Sequence, residues 1–230
     1  MANISITAVC QKCGSTSEIN YYQNINVQDS PELKSQVKDG SLFLWTCSKC
    51  GSVNLIPFPV LYHDPDEKLM IWYTPESMSD AEKALIDKQI NAITEQILSD
   101  SNGEILRGYT LRRVKEVGDL IEKVNIFDAG LDDVAVEMCK YITRIELSEK
   151  SKDKTAVPDN AKFKFYKIEG PDNDITLTYP KDGQIQGVQI GFNVYEDCRG
   201  IIKRNPDVLP APGFAIVDSC LLYTSDAADD

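Results

Sequence analysis

The 230-residue chain contains a single histidine, His63, and is poor in positive charge. With 24 Lys plus Arg against 36 Asp plus Glu, its formal net charge is -12. A protein that coats duplex nucleic acid needs a basic face, so this composition disfavours that function. A Ser-His-Asp triad would depend on His63 alone, and no phosphate loop of the form GxxxxGK[ST] is present. Hydrophobic residues make up 42% of the chain, which is enough for a folded core.

Long apolar runs are also missing. No window approaches the roughly 18 uncharged apolar residues that a membrane-spanning helix needs. The first residues, MANISITAV, alternate between polar and apolar and do not resemble a signal peptide. We therefore expect a soluble, cytoplasmic protein. Thiols stay reduced in that compartment, so closely spaced cysteines indicate a metal site more often than disulfides.

The last eleven residues, CLLYTSDAADD, share no pattern with the preceding chain. The first ten match the translation of a transposase-type sequencing-library adapter. We interpret residues 220–230 as an adapter-derived artefact, and we expect the native sequence to be lost beyond about Ser219. Without the three aspartates of this tail the formal charge is -9, and six of the seven cysteines remain.

Hydrophobic periodicity predicts an α+β protein that begins with a small β-rich module, residues 1–75. Ser30 and Pro31 predict the start of a short helix, which ends before Gly40. The predicted strands are residues 3–9, 16–22, 41–46, 52–57 and 68–74. The module is therefore a set of short strand pairs with one inserted helix.

A second domain, residues 104–219, is predicted to follow a linking segment, residues 76–103. Ser79 and Glu82 form a capping box that starts a helix in this link. The second domain combines two predicted helices with a region of period-two alternation after residue 161. We expect an antiparallel meander there.

Two CxxCG motifs carry the strongest chemical signal, CQKCG from Cys10 and CSKCG from Cys47. In each motif two thiolates can converge on one ion, and the following glycine supplies a positive φ. Four thiolates in a tetrahedral array describe a closed, structural zinc site. The 33 residues between Cys13 and Cys47 exceed the usual gap, and the inserted helix accounts for them. The predicted ligands are Cys10, Cys13, Cys47 and Cys50.

Two other interpretations of these cysteines stay open. Iron also suits a four-thiolate tetrahedral site, as in rubredoxin, and disulfides or free thiols would leave the site without metal. Lys12 and Lys49 occupy the same position in each motif. They are either ordinary exposed lysines or a balance for the negative charge of a zinc-thiolate centre.

The remaining candidate residues have simpler explanations. One acidic cluster could bind a divalent cation. Helix capping by Asp132, together with acids that favour the helix dipole in the first turn, explains the cluster without a cation. Cys139 falls on the inward face of a predicted helix, and Cys198 lies beside Arg199, where it could be a mildly activated thiol. We interpret His63 as a structural or loop residue. The acidic cluster consists of Asp128, Asp132, Asp133 and Glu137.

Residues 1–75 resemble the CpXC domain, a bacterial family named for paired Cys-Pro-x-Cys motifs. The matching stretches are VCQKCG, INVQDSPELKSQVKDGSLFLWTCSKCG and FPVLYHDPDEKLMIWY, and LRRVKEVGDLIEKVNIFDAGLDDVAVE resembles the downstream part of such proteins. Gln11 and Ser48 stand where the family has proline. This departure affects the rigidity of the two turns but not the sulfur ligands. The resemblance implies metal binding and a zinc-ribbon-like fold, without an assigned reaction.

A closed ligand set, a single histidine and no convergent catalytic groups favour a binding module over an enzyme. We expect structural Zn²⁺ and a protein partner. Residues 1–75 contain five Lys against seven Asp plus Glu, which counts against nucleic acid as the partner. The alternatives are a rubredoxin-like iron electron carrier and a nucleic-acid-binding zinc ribbon.

Overall fold

A computed structural model describes residues 3–100, 104, 106–150, 161–219 and 221. They divide into two compact units. The first lies within Met1–Ile121 and Pro212–Ala215, and the second within Glu122–Ala211 and Ile216–Asp230. Both units contain helices and strands, which confirms the predicted α+β class. Of the tail at residues 220–230, only Leu221 is among the described residues.

The first unit contains two small hairpins that carry the cysteine motifs at their tips. Its elements in chain order are β1 (Asn3–Val9), β2 (Thr16–Tyr22), β3 (Asn24–Asn26), α1 (Pro31–Lys38), β4 (Leu44–Thr46), β5 (Val53–Leu55), β6 (Val60–Asp64), β7 (Leu69–Tyr73), α2 (Asp80–Ser99) and β8 (Thr110–Val114). β1 pairs with β2, and β4 pairs with β5, both antiparallel. The predicted helix between the motifs is α1, which buries Leu33 and Val37.

The second hairpin is shorter than the sequence pattern predicts. Ser41–Phe43 forms a 3-10 helical turn, where the pattern predicted the first half of a strand. Gly40 adopts a left-handed conformation with φ 76°, and its carbonyl accepts a hydrogen bond from the N–H of Phe43 at 3.1 Å. The turn buries Phe43 in the core, so the strand begins only at Leu44.

A four-stranded mixed sheet completes the first unit, in the order β3-β6-β7-β8. β6 and β7 are antiparallel, and each outer strand is parallel to its neighbour. β8, which the sequence pattern assigned to the second domain, pairs with β7 from Leu69 opposite Thr110 to Tyr73 opposite Val114. The first unit therefore extends beyond the boundary predicted at residue 75.

The predicted helix after Ser79 is confirmed as α2, but it belongs to the first unit. Glu82 Oε2 accepts a hydrogen bond from the Ser79 N–H at 3.0 Å, and Ser79 Oγ accepts one from the Glu82 N–H at 3.4 Å. These bonds satisfy free N–H groups in the first turn. The buried face of α2 packs in a cluster that contains Trp72, Ile86, Ile90, Leu111 and Phe214.

The second unit contains the predicted meander. The helix α3 (Val117–Asp128) begins in the first unit and continues into the second. The elements that follow it are α4 (Asp133–Lys150), β9 (Lys164–Glu169), β10 (Asp174–Lys181), β11 (Gln184–Ile190) and α5 (Phe192–Arg204). The antiparallel strands lie in the order β11-β10-β9. Phe165, Ile175 and Leu177 are buried on the inner side of this sheet. No helix within the described ranges is both long and apolar enough to cross a membrane.

Candidate metal centre

The four predicted ligands lie together, with every Sγ atom within 4.8 Å of the others. The Sγ of Cys10 is 3.6 Å from that of Cys50, and the Sγ of Cys13 is 3.7 Å from that of Cys47. Four sulfurs bound at about 2.3 Å to a tetrahedral zinc ion would be separated by about 3.8 Å. The cysteines can therefore hold a metal ion with little rearrangement. Among the described residues, they are the only converging group of three or more His, Cys, Asp or Glu side chains.

The two motifs fold into matching turns, which we call the knuckles, residues 10–15 and 47–52. In the first knuckle the N–H of Cys10 donates to the Ser15 carbonyl and the N–H of Gly14 donates to the Cys10 carbonyl, each at 2.9 Å. The second knuckle repeats both bonds with the same distances. Gly14 and Gly51 have φ values of 67° and 70°, a left-handed conformation that favours glycine. The predicted role of the glycine is thus present in both turns.

Each knuckle also places a serine hydroxyl against sulfurs of both motifs. Ser15 Oγ lies 3.1 Å from the Sγ of Cys13 and 3.2 Å from that of Cys47. Ser52 Oγ lies 3.1 Å from the Sγ of Cys10 and 3.2 Å from that of Cys50. The two serines therefore connect the knuckles across the site. Hydrogen bonds of this kind orient metal ligands.

Asn54 is a third supporting residue, and it joins the knuckles through the backbone of Gln11. The buried Asn54 side chain accepts a hydrogen bond from the Gln11 N–H at 3.0 Å and donates one to the Ser52 carbonyl at 2.9 Å. Its Nδ2 is also 3.7 Å from the Sγ of Cys10. Proline has no N–H, so the family residue at position 11 could not donate to Asn54. The hydrogen bond to Asn54 is therefore possible only because this chain has Gln11 where the family has proline.

The serine contacts also favour the ionised form of two cysteines. The Ser52 hydroxyl lowers the pKa of Cys10 to about 5, against the opposing effect of burial. The Ser15 hydroxyl likewise lowers the pKa of Cys47 below its ordinary value. At Cys50 the Ser52 hydroxyl acts in the same direction, but burial and the contacts with Cys13 and Cys10 raise the pKa. Because the thiolate is the form that binds a metal, the serine contacts favour metal binding at Cys10 and Cys47. Lys12 and Lys49 are both exposed.

Two residues of the predicted acidic cluster, Asp133 and Glu137, are buried in a network of ion pairs, whereas Asp128 and Asp132 are exposed. Asp132 has the predicted capping role, since its Oδ1 accepts a hydrogen bond from the Ala135 N–H at 2.9 Å. Asp133 lies 2.8 Å from the Nζ of Lys123. The Nζ of Lys140 lies 2.8 Å from Glu137 and 2.6 Å from Glu122. Asp128 is the last residue of α3.

The two remaining cysteines of the described chain contact each other. The Sγ atoms of Cys139 in α4 and Cys198 in α5 are 3.6 Å apart, and both residues are buried. Cys139 is therefore the buried residue that its helical position predicted. The hydrogen bond between the two thiols raises the pKa of Cys139 and lowers that of Cys198. Because Cys198 is fully buried, the structure gives no support for a solvent-accessible reactive thiol.

His63 lies in β6 and not in a loop. Its Nε2 is 3.1 Å from the hydroxyl of Tyr109, and the two rings pack at a centroid distance of 5.6 Å. Burial lowers the pKa of this histidine below its ordinary value, although Asp64 acts in the opposite direction. These contacts agree with the structural role proposed for it.

Sequence reasoning missed the three residues that support the sulfurs, Ser15, Ser52 and Asn54. A signal for the serines was present, because both motifs continue beyond glycine with the same residue and read CxKCGS. Asn54 has no counterpart in the first motif, so no repeat pointed to it. Its role depends on an approach between residues 11 and 54, which only the folded chain shows.

Two hairpins whose knuckles bring four cysteines together define a four-cysteine ribbon protein. The chain belongs to the CpXC protein family, whose model matches residues 8–140. This match covers more than half of the chain and includes both knuckles, so the predicted resemblance is confirmed. Searches of curated proteins and of solved structures gave no significant match.

Proposed function

We propose that the four cysteines bind one structural Zn²⁺ and that the ribbon they stabilise is a protein-binding module. The metal assignment is supported by four converging sulfurs with short separations of 3.6 and 3.7 Å. Four thiolates close the coordination of zinc and leave no position for a substrate or water, so a structural role fits this ligand set best. The proposal places the protein in a reducing compartment such as the cytoplasm, where the thiols stay available.

Cysteine substitution tests the metal assignment. We expect the wild-type chain to bind one zinc per molecule and the Cys13→Ser, Cys50→Ser double variant to bind none. The Cys139→Ser, Cys198→Ser double variant is a matched control, because it also removes two cysteines that contact each other. It should keep full zinc content. Full metal content in the first variant, measured by elemental analysis, would contradict the proposal.

The proposal of a protein partner is supported by the outer face of the second hairpin. Leu44 lies opposite Leu55, and Thr46 lies opposite Val53. Leu44, Leu55 and Val53 are 47%, 57% and 62% exposed, so this face, which we call the ribbon face, presents adjacent apolar side chains to solvent. Exposed apolar patches mark interaction sites when they are contiguous. Against nucleic acid, residues 1–75 have more acidic than basic side chains.

Charge substitution on the ribbon face tests for the partner. We expect a protein cross-linked to the wild-type chain in a lysate to be lost with the Val53→Lys, Leu55→Lys variant. Leu98→Lys is the matched control, because Leu98 is an equally exposed apolar residue on α2. The control should retain the same partner. Retention by all three proteins, or the same loss in the control, would contradict a role of the ribbon face.

A further inference from the structure

The edge strand β11 has none of the features that usually prevent strand pairing between molecules. Its sequence, QIQGVQI, contains no charged residue and no proline. Proteins commonly protect sheet edges with charges, prolines or bulges. The opposite edge strand, β9, follows this rule and carries Lys164, Lys167 and Glu169. The two edges of one sheet therefore differ in their capacity to accept another strand.

The turn before β11 determines which backbone groups point to the open edge. Asp182 and Gly183 both have positive φ and form a two-residue turn between paired residues Lys181 and Gln184. In such a turn the flanking pair is hydrogen-bonded, and hydrogen-bonded pairs then alternate along the strands. The even-numbered residues of β11 therefore bond to β10. Those whose N–H and C=O groups point away from β10 are Ile185, Gly187 and Gln189.

These outward groups are open within the described chain. The backbone groups of β11 make no hydrogen bond with a described residue outside the β10–β11 pair and the strand's own ends. Side chains on this outer edge are also exposed, with Ile185 at 71%. Three N–H and three C=O groups thus line a neutral edge that can receive a strand.

Gly187 lies at the centre of β11, and no intramolecular feature requires glycine there. Its φ is not in the left-handed region, and a Cβ at this position would meet no atom within 4 Å. Glycine inside a strand weakens it, and one established reason for its presence is the close approach of another backbone. Gly187 is therefore a second observation that points to a neighbouring strand at this edge.

We propose that β11 pairs with β11 of a second copy of this chain, antiparallel and about a two-fold axis at Gly187. Gly187 then lies opposite Gly187, and Ile185 lies opposite Gln189 of the other copy. This register satisfies all three N–H and three C=O groups of each copy and opposes no like charges. The two meanders become one six-stranded sheet. Its outer edges are the charged β9 strands, so association stops at the dimer.

The dimer is tested by equilibrium sedimentation of the full, zinc-loaded chain over a range of concentrations. A single strand pair buries less surface than a stable interface, which needs about 1,200 Å². We therefore expect a weak dimer whose fraction rises with protein concentration. Gly187→Lys and Gly187→Glu each place like charges directly opposite each other at the axis. Each should raise the dimer dissociation constant several-fold over Gly187→Ala, which leaves the backbone groups unchanged.

Mixing the charged variants separates a pairing defect from a folding defect. An equimolar mixture of Gly187→Lys and Gly187→Glu should form heterodimers at concentrations where each alone is monomeric. A wild-type chain that stays monomeric at all concentrations, species larger than dimers, or a mixture that stays monomeric would overturn the proposal. Charged variants that associate as strongly as Gly187→Ala would place any interface elsewhere and would overturn it too.

Discussion

The two units of the molecule solve the same electrostatic problem in different ways. The first unit gathers four cysteines, and no ammonium or guanidinium group of a described residue hydrogen-bonds to their sulfurs. The second unit buries Glu122, Asp133 and Glu137 but places Lys123 and Lys140 among them. Buried negative charge is costly unless it is paired. The second unit supplies its own cations, whereas the four cysteines of the first can take up a cation from solution.

The comparison teaches that the two units should respond to different conditions. If the cysteines bind zinc as proposed, the stability of the ribbon depends on the bound ion and on sulfurs that stay reduced. The stability of the second unit depends on the ionisation of side chains that belong to it. Changes that affect one unit should leave the other nearly intact.

The largest expected effect is the loss of the ribbon on metal removal. A strong chelator should unfold the two knuckle hairpins, because four-cysteine modules of this size rely on the ion for their fold. Hydrogen exchange resolved along the chain should show lost protection around residues 10–15 and 47–52, with β9 to β11 still protected. Unchanged protection at the knuckles after complete metal removal would contradict the comparison.

The next largest effect is expected from Glu122→Ala in the second unit. Glu122 accepts hydrogen bonds from Lys140 and from the Phe165 N–H, and its side chain is 4% exposed. The substitution leaves Lys140 buried with part of its negative charge missing, which costs about 3–5 kcal/mol of unfolding free energy. Denaturant unfolding should detect this loss when it is followed by circular dichroism and not by tryptophan fluorescence.

Glu169→Ala is the matched control for this substitution. Glu169 also pairs with a lysine, Lys167, at 2.6 Å, but both side chains are substantially exposed. Surface ion pairs contribute little, so the control should change unfolding far less than Glu122→Ala. Equal changes in unfolding free energy for the two substitutions would show that the buried ion pairs stabilise the protein no more than an exposed pair does.

The pH dependence of stability sharpens the comparison. Burial alone would raise the pKa of Glu122, but Lys140 and Lys164 lower it below its ordinary value. The stability it contributes is present above the unfolded pKa of about 4.3 and is lost as the pH falls through the lower native value. Unfolding free energy should therefore fall with pH below about 4.3, and less steeply in Glu122→Ala. Identical slopes for both proteins would contradict the account.

At high pH, Lys140 should make the unfolding free energy fall as the pH rises. Burial alone would lower the pKa of Lys140, but Glu122 and Glu137 raise it above its ordinary value. Its contribution is complete below the unfolded pKa of about 10.4 and is lost as the pH rises through the raised native value. The second unit should therefore be most stable between these two limits, as measured by thermal unfolding across pH.

The smallest effect is expected at the two positions where this chain departs from the family proline. Gln11→Pro removes the N–H that donates to buried Asn54, which should cost about 1–3 kcal/mol. The N–H of Ser48 donates no backbone hydrogen bond within the second knuckle. Ser48→Pro should therefore be neutral or slightly stabilising, because proline restricts the unfolded chain. Thermal unfolding of the zinc-loaded variants compares them, and equal effects would refute the role of Asn54.

Local signals predicted much of the structure. The capping box at Ser79 and Glu82 located the start of α2, and period-two alternation located the meander. The spacing of the cysteines indicated a site where four sulfurs do converge. Each of these features is encoded within a few consecutive residues or in a repeated motif.

Features that depend on distant residues could not be predicted in the same way. β3 has only three residues, and β8 joins the first unit through parallel pairing with β7, about forty residues away. The burial of Lys123 and Lys140 is equally hidden, because lysine normally indicates an exposed position. Only the assembled second unit shows the carboxylates that compensate their burial.

Metal content is the most direct measurement of the central claim, that the first unit requires an external cation at its four thiolates. The purified wild-type chain, without residues 220–230, should contain one zinc per molecule and show no visible absorption. Iron in its place would give a red protein and would support an electron carrier instead of a structural site. A folded ribbon that contains no metal would contradict the account.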